Sequence, residues 1–285
     1  MENVTVISMH ATYGLAVFLF FAAVAWRAFL CPRDLTIPPP NPFGKVSYGI
    51  YQWRDLLVVG VIVGFYYLSA LTVAMGEKDA VQMKITSAGL IINIGLQFFL
   101  MGLAFVMVMG RIRPIEWLGF RWKGWSRVFL TSLVTLLTMW TIFLGFHFVG
   151  YQELIESLGV KSTQEAVDLL RKTKDINVLI LMTVAVVIVA PLCEEVVFRG
   201  YIYPALKKFA GPWIGWVVSA LLFSAAHGSV AVLIPLFFFG LILVLLYEWT
   251  GSIWAPIGAH AVFNGATVVV QMLERFGLLP EAPIQ

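Results

Sequence analysis

Residues able to do chemistry are concentrated in the C-terminal third of the chain, inside stretches that are otherwise apolar. The first group is Glu194, Glu195 and Arg199, in the string PLCEEVVFRG. The second is His227, which closes the run FSAAH, and the third is His260 and Asn264, in HAVFN. An ionisable side chain in hydrocarbon is costly, so one found there is a functional candidate by default. Glu195 and Arg199 are four positions apart. They share a helix face, with the acid in the favourable N-terminal position. Such a pair suits the locking of two helices. The adjacent Glu194 points about 100° away on a 3.6-residue helix. One acid is then neutralised by arginine while the other faces a cavity. His260 and Asn264 share a face for the same reason.

A carboxylate and an imidazole around one water can deprotonate it for attack on a carbonyl, most effectively with a pKa near the operating pH. The attack creates an oxyanion, for which a His N–H and an Asn amide are suitable donors. On this reading Glu194 and His227 hold the water, and His260 and Asn264 hold the oxyanion. The set Glu194, His227 and His260 could instead bind zinc with one position open. Glu195 or another group would then have to serve as base. Blander readings apply elsewhere. Asn264 also suits a helix–helix hydrogen bond. His10 and His147 read as buried, hydrogen-bonded structural residues, Cys193 as packing, and Glu248 as a solvated loop charge. Other intramembrane chemistries fit worse. There is no His-Glu-x-x-His motif and no Gly-x-Ser-x-Gly elbow. The five aspartates (Asp34, Asp55, Asp79, Asp168 and Asp175) fall in loops or at span ends.

The elements that carry these residues must be membrane helices. Of 285 residues, 60% are hydrophobic and 12% are charged, and the mean hydropathy is +0.88. A soluble domain is about 45–50% apolar and about 25% charged. The composition excludes a soluble enzyme, a disordered chain and a nucleic-acid binder, and implies an all-α, polytopic membrane protein. The net charge of +3 fits the Lys/Arg bias of membrane loops. Two cysteines, Cys31 and Cys193, are too few for a disulfide framework. The first ten residues carry Glu2 and no Lys or Arg, so the first apolar stretch reads as a permanent helix rather than a cleaved signal.

About 20 mostly apolar residues cross the hydrocarbon. Eight stretches qualify, beginning near Ile7, Leu56, Ile85, Val128, Ile176, Pro212, Val230 and Ile253. The sixth and seventh are separated by almost nothing, so a short or broken span is expected there. The fifth continues through Pro191, where a lost backbone hydrogen bond can bend it. Gly200 and Pro204 are expected to weaken it further on. Loops after the odd-numbered spans carry Arg27, Arg33, Lys45, Arg54, Arg111, Arg113, Arg121, Lys123, Arg127, Lys207 and Lys208, against seven cations opposite. The positive-inside rule then puts both termini outside, in a cell membrane. Pro38, Pro39, Pro40 and Pro42 suit an extended segment. Between Gly150 and Asp175 one or two surface helices are expected. Ser162 followed by Glu165 resembles a capping box, and Leu154, Ile155, Leu158, Val167 and Leu170 would give these helices an apolar stripe.

The three groups resemble the motifs of the CPBP family, named for type II CAAX prenyl proteases and bacteriocin-processing enzymes and also called the abortive-infection family. Those motifs are Glu-Glu-x-x-x-Arg, Phe-x-x-x-His and His-x-x-x-Asn. They correspond to Glu194-Glu195 with Arg199, Phe223 with His227, and His260 with Asn264. The strings EEVVFRGYIYPAL and TGSIWAPIGAHAVFN add to the likeness, which extends from about Trp117 to Leu273. It implies a protease core over residues 111–285, with its cavity formed by the C-terminal helices. Residues 1–110, about three spans, carry no recognised likeness. The resemblance implies an intramembrane endopeptidase in which Glu194 and His227 activate water, His260 and Asn264 hold the oxyanion, and Glu195 and Arg199 support the site. It leaves open a metal-dependent variant. Substrates would be peptides or proteins, prenylated at a CAAX terminus or matured as peptides, with the bilayer as partner and no nucleic acid. Two other classes compete, a non-catalytic membrane scaffold or immunity factor and a small-molecule or ion transporter. No inverted repeat of the kind transporters use is visible.

Overall fold

The computed structural model describes residues 2–29, 44–74, 86–120, 124–160, 170 and 173–279. Cys31, the prolines 38–42 and the capping box of Ser162 and Glu165 lie outside the described residues. Among those described, every regular element is helical. Helices α1 (Glu2–Phe29), α2 (Trp53–Ala74), α3 (Ser87–Val108) and α4 (Trp125–Phe148) precede a short α5 (Tyr151–Ser157). Then come α6 (Ile176–Ala210), α7 (Pro212–Ala226), α8 (Val230–Thr250) and α9 (Trp254–Arg275). Seven of these are long and apolar enough to cross a membrane, and the protein is an integral, multi-pass membrane protein. Phe18, Phe21, Leu57, Phe99 and Phe129 point outward, exposed, as side chains that meet lipid do. The sixth expected span, α7, has 15 residues, or about 22 Å. It is the short one, and it stops within the bundle at His227.

The loops after α1, α3, α6 and α8 meet at one end of the bundle. Lys45 N donates to Glu248 O at 3.1 Å and Ile253 N to Leu118 O at 2.9 Å. Arg111 Nη1 donates to Ile50 O at 3.3 Å and Arg27 Nη1 to Lys208 O at 3.2 Å. Helices α1–α3 pack into the same apolar core as α6–α9, with Tyr13, Ile62 and Leu100 joining Phe198, Phe239 and Phe263.

Proline dictates the form of α6. The helix continues through Pro191, as expected, and through Gly200 and Pro204, where a weakened helix was expected. It widens into π turns over Ala185–Val189 and Glu195–Ile202 and runs on to Ala210. Each π stretch stops two residues before a proline, where a wider turn relieves the ring's clash with the preceding turn. Each proline also leaves a carbonyl without its helical N–H. Ala190 N bonds Ala185 O, and the same register would need an N–H at Pro191 for Val186 O. Asn264 Nδ2 donates to Val186 O instead, at 2.9 Å. In the α register Pro204 would serve Gly200 O. That oxygen accepts from Tyr51 Oη at 2.5 Å and Trp117 Nε1 at 3.0 Å.

Several polar residues are placed differently from expectation. Glu248 is not solvated. It is 3% exposed and accepts from Lys207 Nζ, from Tyr203 Oη at 2.6 Å and from Val46 N at 3.3 Å. The loop before α2 folds back over the end of α8 and buries it. Asp55 lies at a span end as expected, in the first turn of α2, and is fully buried there, accepting from Arg111 Nη1 at 2.6 Å and Tyr201 Oη at 2.9 Å. His10 and His147 are both exposed rather than buried. They sit on outer helix faces, and His10 Nδ1 lies 2.7 Å from Val6 O. Of the stripe around α5, Ile155 is buried against Met9, Ala70 and Val230, whereas Leu154 and Leu158 are exposed.

Candidate active site in the membrane

The site is built on the hairpin of α6 and α7. These helices meet at Gly211 and run antiparallel, so residues equally far from Gly211 lie at one depth. Glu194 is 17 positions before Gly211 and His227 is 16 after it. The contact is close because Gly215 has no side chain. A Cβ there would meet Lys207 N at 2.7 Å. After His227 the chain turns sharply at Gly228, with φ +66°, a conformation that glycine adopts without cost. This turn ends α7 inside the bundle and leaves His227 at its tip. Helix α9 packs against α6 and brings His260 and Asn264 to the same place.

A cavity of about 470 Å³ is lined by Glu194, His227, His260 and Asn264 together. All four sequence candidates for direct chemistry therefore converge. Glu195 does not line the cavity. It is fully buried behind it, where its Oε1 accepts from Arg199 Nη1 at 3.0 Å and lies 2.8 Å from His260 Nδ1. The division of the two acids expected from helix geometry is thus present. Glu194 Oε2 is buried and has no hydrogen-bond partner, as suits an acceptor that faces a small polar ligand.

The hydrogen bonds fix the histidine tautomers. His227 Nδ1 lies 2.9 Å from Phe223 O. A carbonyl only accepts, so Nδ1 carries the proton and Nε2 of the neutral ring is an acceptor. His260 Nδ1 faces a carboxylate paired with arginine, so it too is the protonated nitrogen. Its Nε2 becomes a donor only when the ring is imidazolium. Asn264 uses one amide hydrogen on Val186 O, as the helix–helix reading expected, and has a second hydrogen left.

The zinc alternative does not fit this arrangement. Among the described residues, no three His, Cys, Asp or Glu side chains gather so as to hold a metal ion. Cys193 is buried and free, consistent with packing.

Three contributors received no role from the sequence, although Phe223 belongs to one of its motifs. Phe223 is a shared packing partner behind the cavity. Its ring centroid is 4.1 Å from Arg199 Cζ, 4.9 Å from the His227 ring and 5.9 Å from the His260 ring. Its fixed spacing before His227 was the available signal. Tyr66 on α2 and the Asn93–Gln97 pair on α3 also line the cavity. The pair's signal in the sequence is two amides four apart within an apolar span.

Comparison with known proteins agrees with the motifs. Residues 176–266 match the family described as type II CAAX prenyl endopeptidase Rce1-like. YdiL of Bacillus subtilis, named as a candidate membrane peptidase, is 32% identical over 92 residues, 32% of this chain and 38% of that protein. The membrane-embedded CAAX protease MroQ of Staphylococcus aureus is 38% identical over 93 residues, 30% of this chain and 37% of that protein. The chain thus aligns with well under half the length of the curated relatives it matches. No solved structure matches it significantly. The resemblance carried by the three motifs is borne out over residues 176–266, which match the family described as type II CAAX prenyl endopeptidase Rce1-like.

Proposed function

We propose that this protein is an intramembrane endopeptidase that uses a glutamate- and histidine-held water. The observation that carries this reading is the shared cavity of Glu194, His227, His260 and Asn264, with Glu194 Oε2 buried and unpartnered. Glu194 and His227 Nε2 are both acceptors. One water can donate a hydrogen to each and keep a lone pair for attack. As its oxygen bonds the peptide carbon, Glu194 takes the released proton and the carbonyl electrons move onto oxygen. Imidazolium His260 and the second Asn264 amide hydrogen stabilise that oxyanion, and Glu195 offsets the imidazolium charge. Collapse breaks the C–N bond, and the leaving amine takes the proton held on Glu194.

The substrate in this reading is a peptide or protein that enters the bilayer. The walls of the cavity include Phe65, Trp140, Phe143 and Phe263. They suit an apolar chain such as a prenyl group, in keeping with the family and with the name of MroQ. The protease core is residues 111–285, and residues 1–110 supply one wall. The end carrying the loops after α1, α3, α6 and α8 faces the cytoplasm. The test is hydrolysis of farnesylated, internally quenched peptides by purified wild type, Glu194→Gln and His227→Ala. Both variants should keep the fold and lose kcat by about two orders of magnitude or more. Full activity in Glu194→Gln would end the reading.

A further inference from the structure

The cavity has a second polar end. On α3, outside the family-matched segment, Asn93 and Gln97 also line it. Gln97 Nε2 donates to Asn93 Oδ1 at 2.8 Å. That bond consumes one donor and one acceptor. Gln97 Oε1 is left buried without a partner, and the Asn93 amide donates to no described group. Gln97 is half-buried and Asn93 is exposed at the rim. An unpaired donor and an unpaired acceptor thus sit one helical turn apart at membrane depth, where water is scarce and an unmet amide is costly. A peptide group offers the matching pair, one C=O and one N–H.

Helices α3 and α6 run parallel. Leu90 packs against the cluster that holds Val178 and Met182 near the start of α6, while Arg111, just past α3, reaches Asp55, which also holds Tyr201. In that register Gln97 lies level with about residue 186 and Asn93 with about residue 182. Glu194 is then about 12 Å along the bundle from Gln97 and about 18 Å from Asn93. Extended peptide covers about 3.3 Å per residue, so four to five residues span the gap.

We propose that Asn93 and Gln97 are substrate-positioning residues, which hydrogen-bond the backbone of an extended peptide about four to five residues from the bond to be cut. This rests on the endopeptidase reading and makes the enzyme selective for chain length. The experiment uses purified full-length protein and farnesylated, internally quenched peptides extended by two to eight residues on either side of the cleaved bond. Wild type should show a step in kcat/KM when one arm reaches four to five residues. In Gln97→Met and Asn93→Leu that step should fall about three- to tenfold, through KM. Equal losses on short and long peptides, or a wild-type step in both variants, would overturn the proposal. Affinity is read separately, by anisotropy of labelled peptides on Glu194→Gln protein. If wild type cleaves nothing but long peptides still bind more tightly than to the Gln97→Met variant of that protein, the positioning role stands and the hydrolytic reading falls. If no peptide binds, both fall.

Discussion

Arg199 offers the sharpest test of how the site is held together. It is fully buried. Its Nη1 lies 3.0 Å from Glu195 Oε1, its Nη2 donates to Gly240 O at 3.4 Å, and its Cζ sits 4.1 Å from the Phe223 ring centroid. Arg199→Met keeps the length and removes the charge. Glu195 would then be a buried carboxylate with His260 as its remaining partner. Stranding one member of a buried ion pair costs about 3–5 kcal/mol, whereas replacing both members is often close to neutral. Glu195→Gln alone strands Arg199 in the same way. The double variant Glu195→Gln/Arg199→Met should cost less than either single one, with a coupling of at least about 2 kcal/mol. Unfolding in detergent micelles, followed by tryptophan fluorescence, measures all four proteins. Single costs that simply add in the double variant would refute the claim that these charges stabilise the site as a pair.

Three further outcomes follow from the geometry. Asn264→Ala should destabilise by about 1 kcal/mol because Val186 O loses its donor. Pro191→Ala, which restores an N–H, should recover part of that stability without restoring activity, separating the helix-pinning role of Asn264 from its catalytic one. Tyr51→Phe and Trp117→Phe each remove a donor from Gly200 O. In the same unfolding assay they should be non-additive, because loss of the second donor leaves that buried carbonyl unmet at about 1–3 kcal/mol. Prolonged dialysis against a chelator should leave peptide hydrolysis intact, with zinc well below one ion per chain by elemental assay. Loss of activity that zinc restores would overturn the water-only reading.

The site was legible in the sequence where its logic is local. Glu194, Glu195 and Arg199 sit on one helix, and the spacing alone separates the cavity-facing acid from the paired one. His260 and Asn264 share a face for the same reason. The hairpin about Gly211 follows from numbering once α6 is known to run unbroken to Ala210. That continuity was not legible. Proline and glycine forecast a weakened helix, whereas the chain widens into π turns and borrows donors from Tyr51, Trp117 and Asn264, residues far away in sequence. The burial of Glu248 was hidden for a similar reason. It lies in the last turn of an apolar span, and only the return of the loop at Val46 closes it from solvent. Asn93 and Gln97 were legible as polar interruptions of α3, but their purpose depends on α6 and α9 bounding the other side of the cavity.

The central claim is that Glu194 makes this protein a peptidase. Its most direct test compares the N- and C-terminal peptides of cells that express wild type or Glu194→Gln. The account predicts new termini that appear only with wild type, clustered in membrane-associated segments. Identical terminal peptide sets, with both proteins folded and equally abundant, would contradict it.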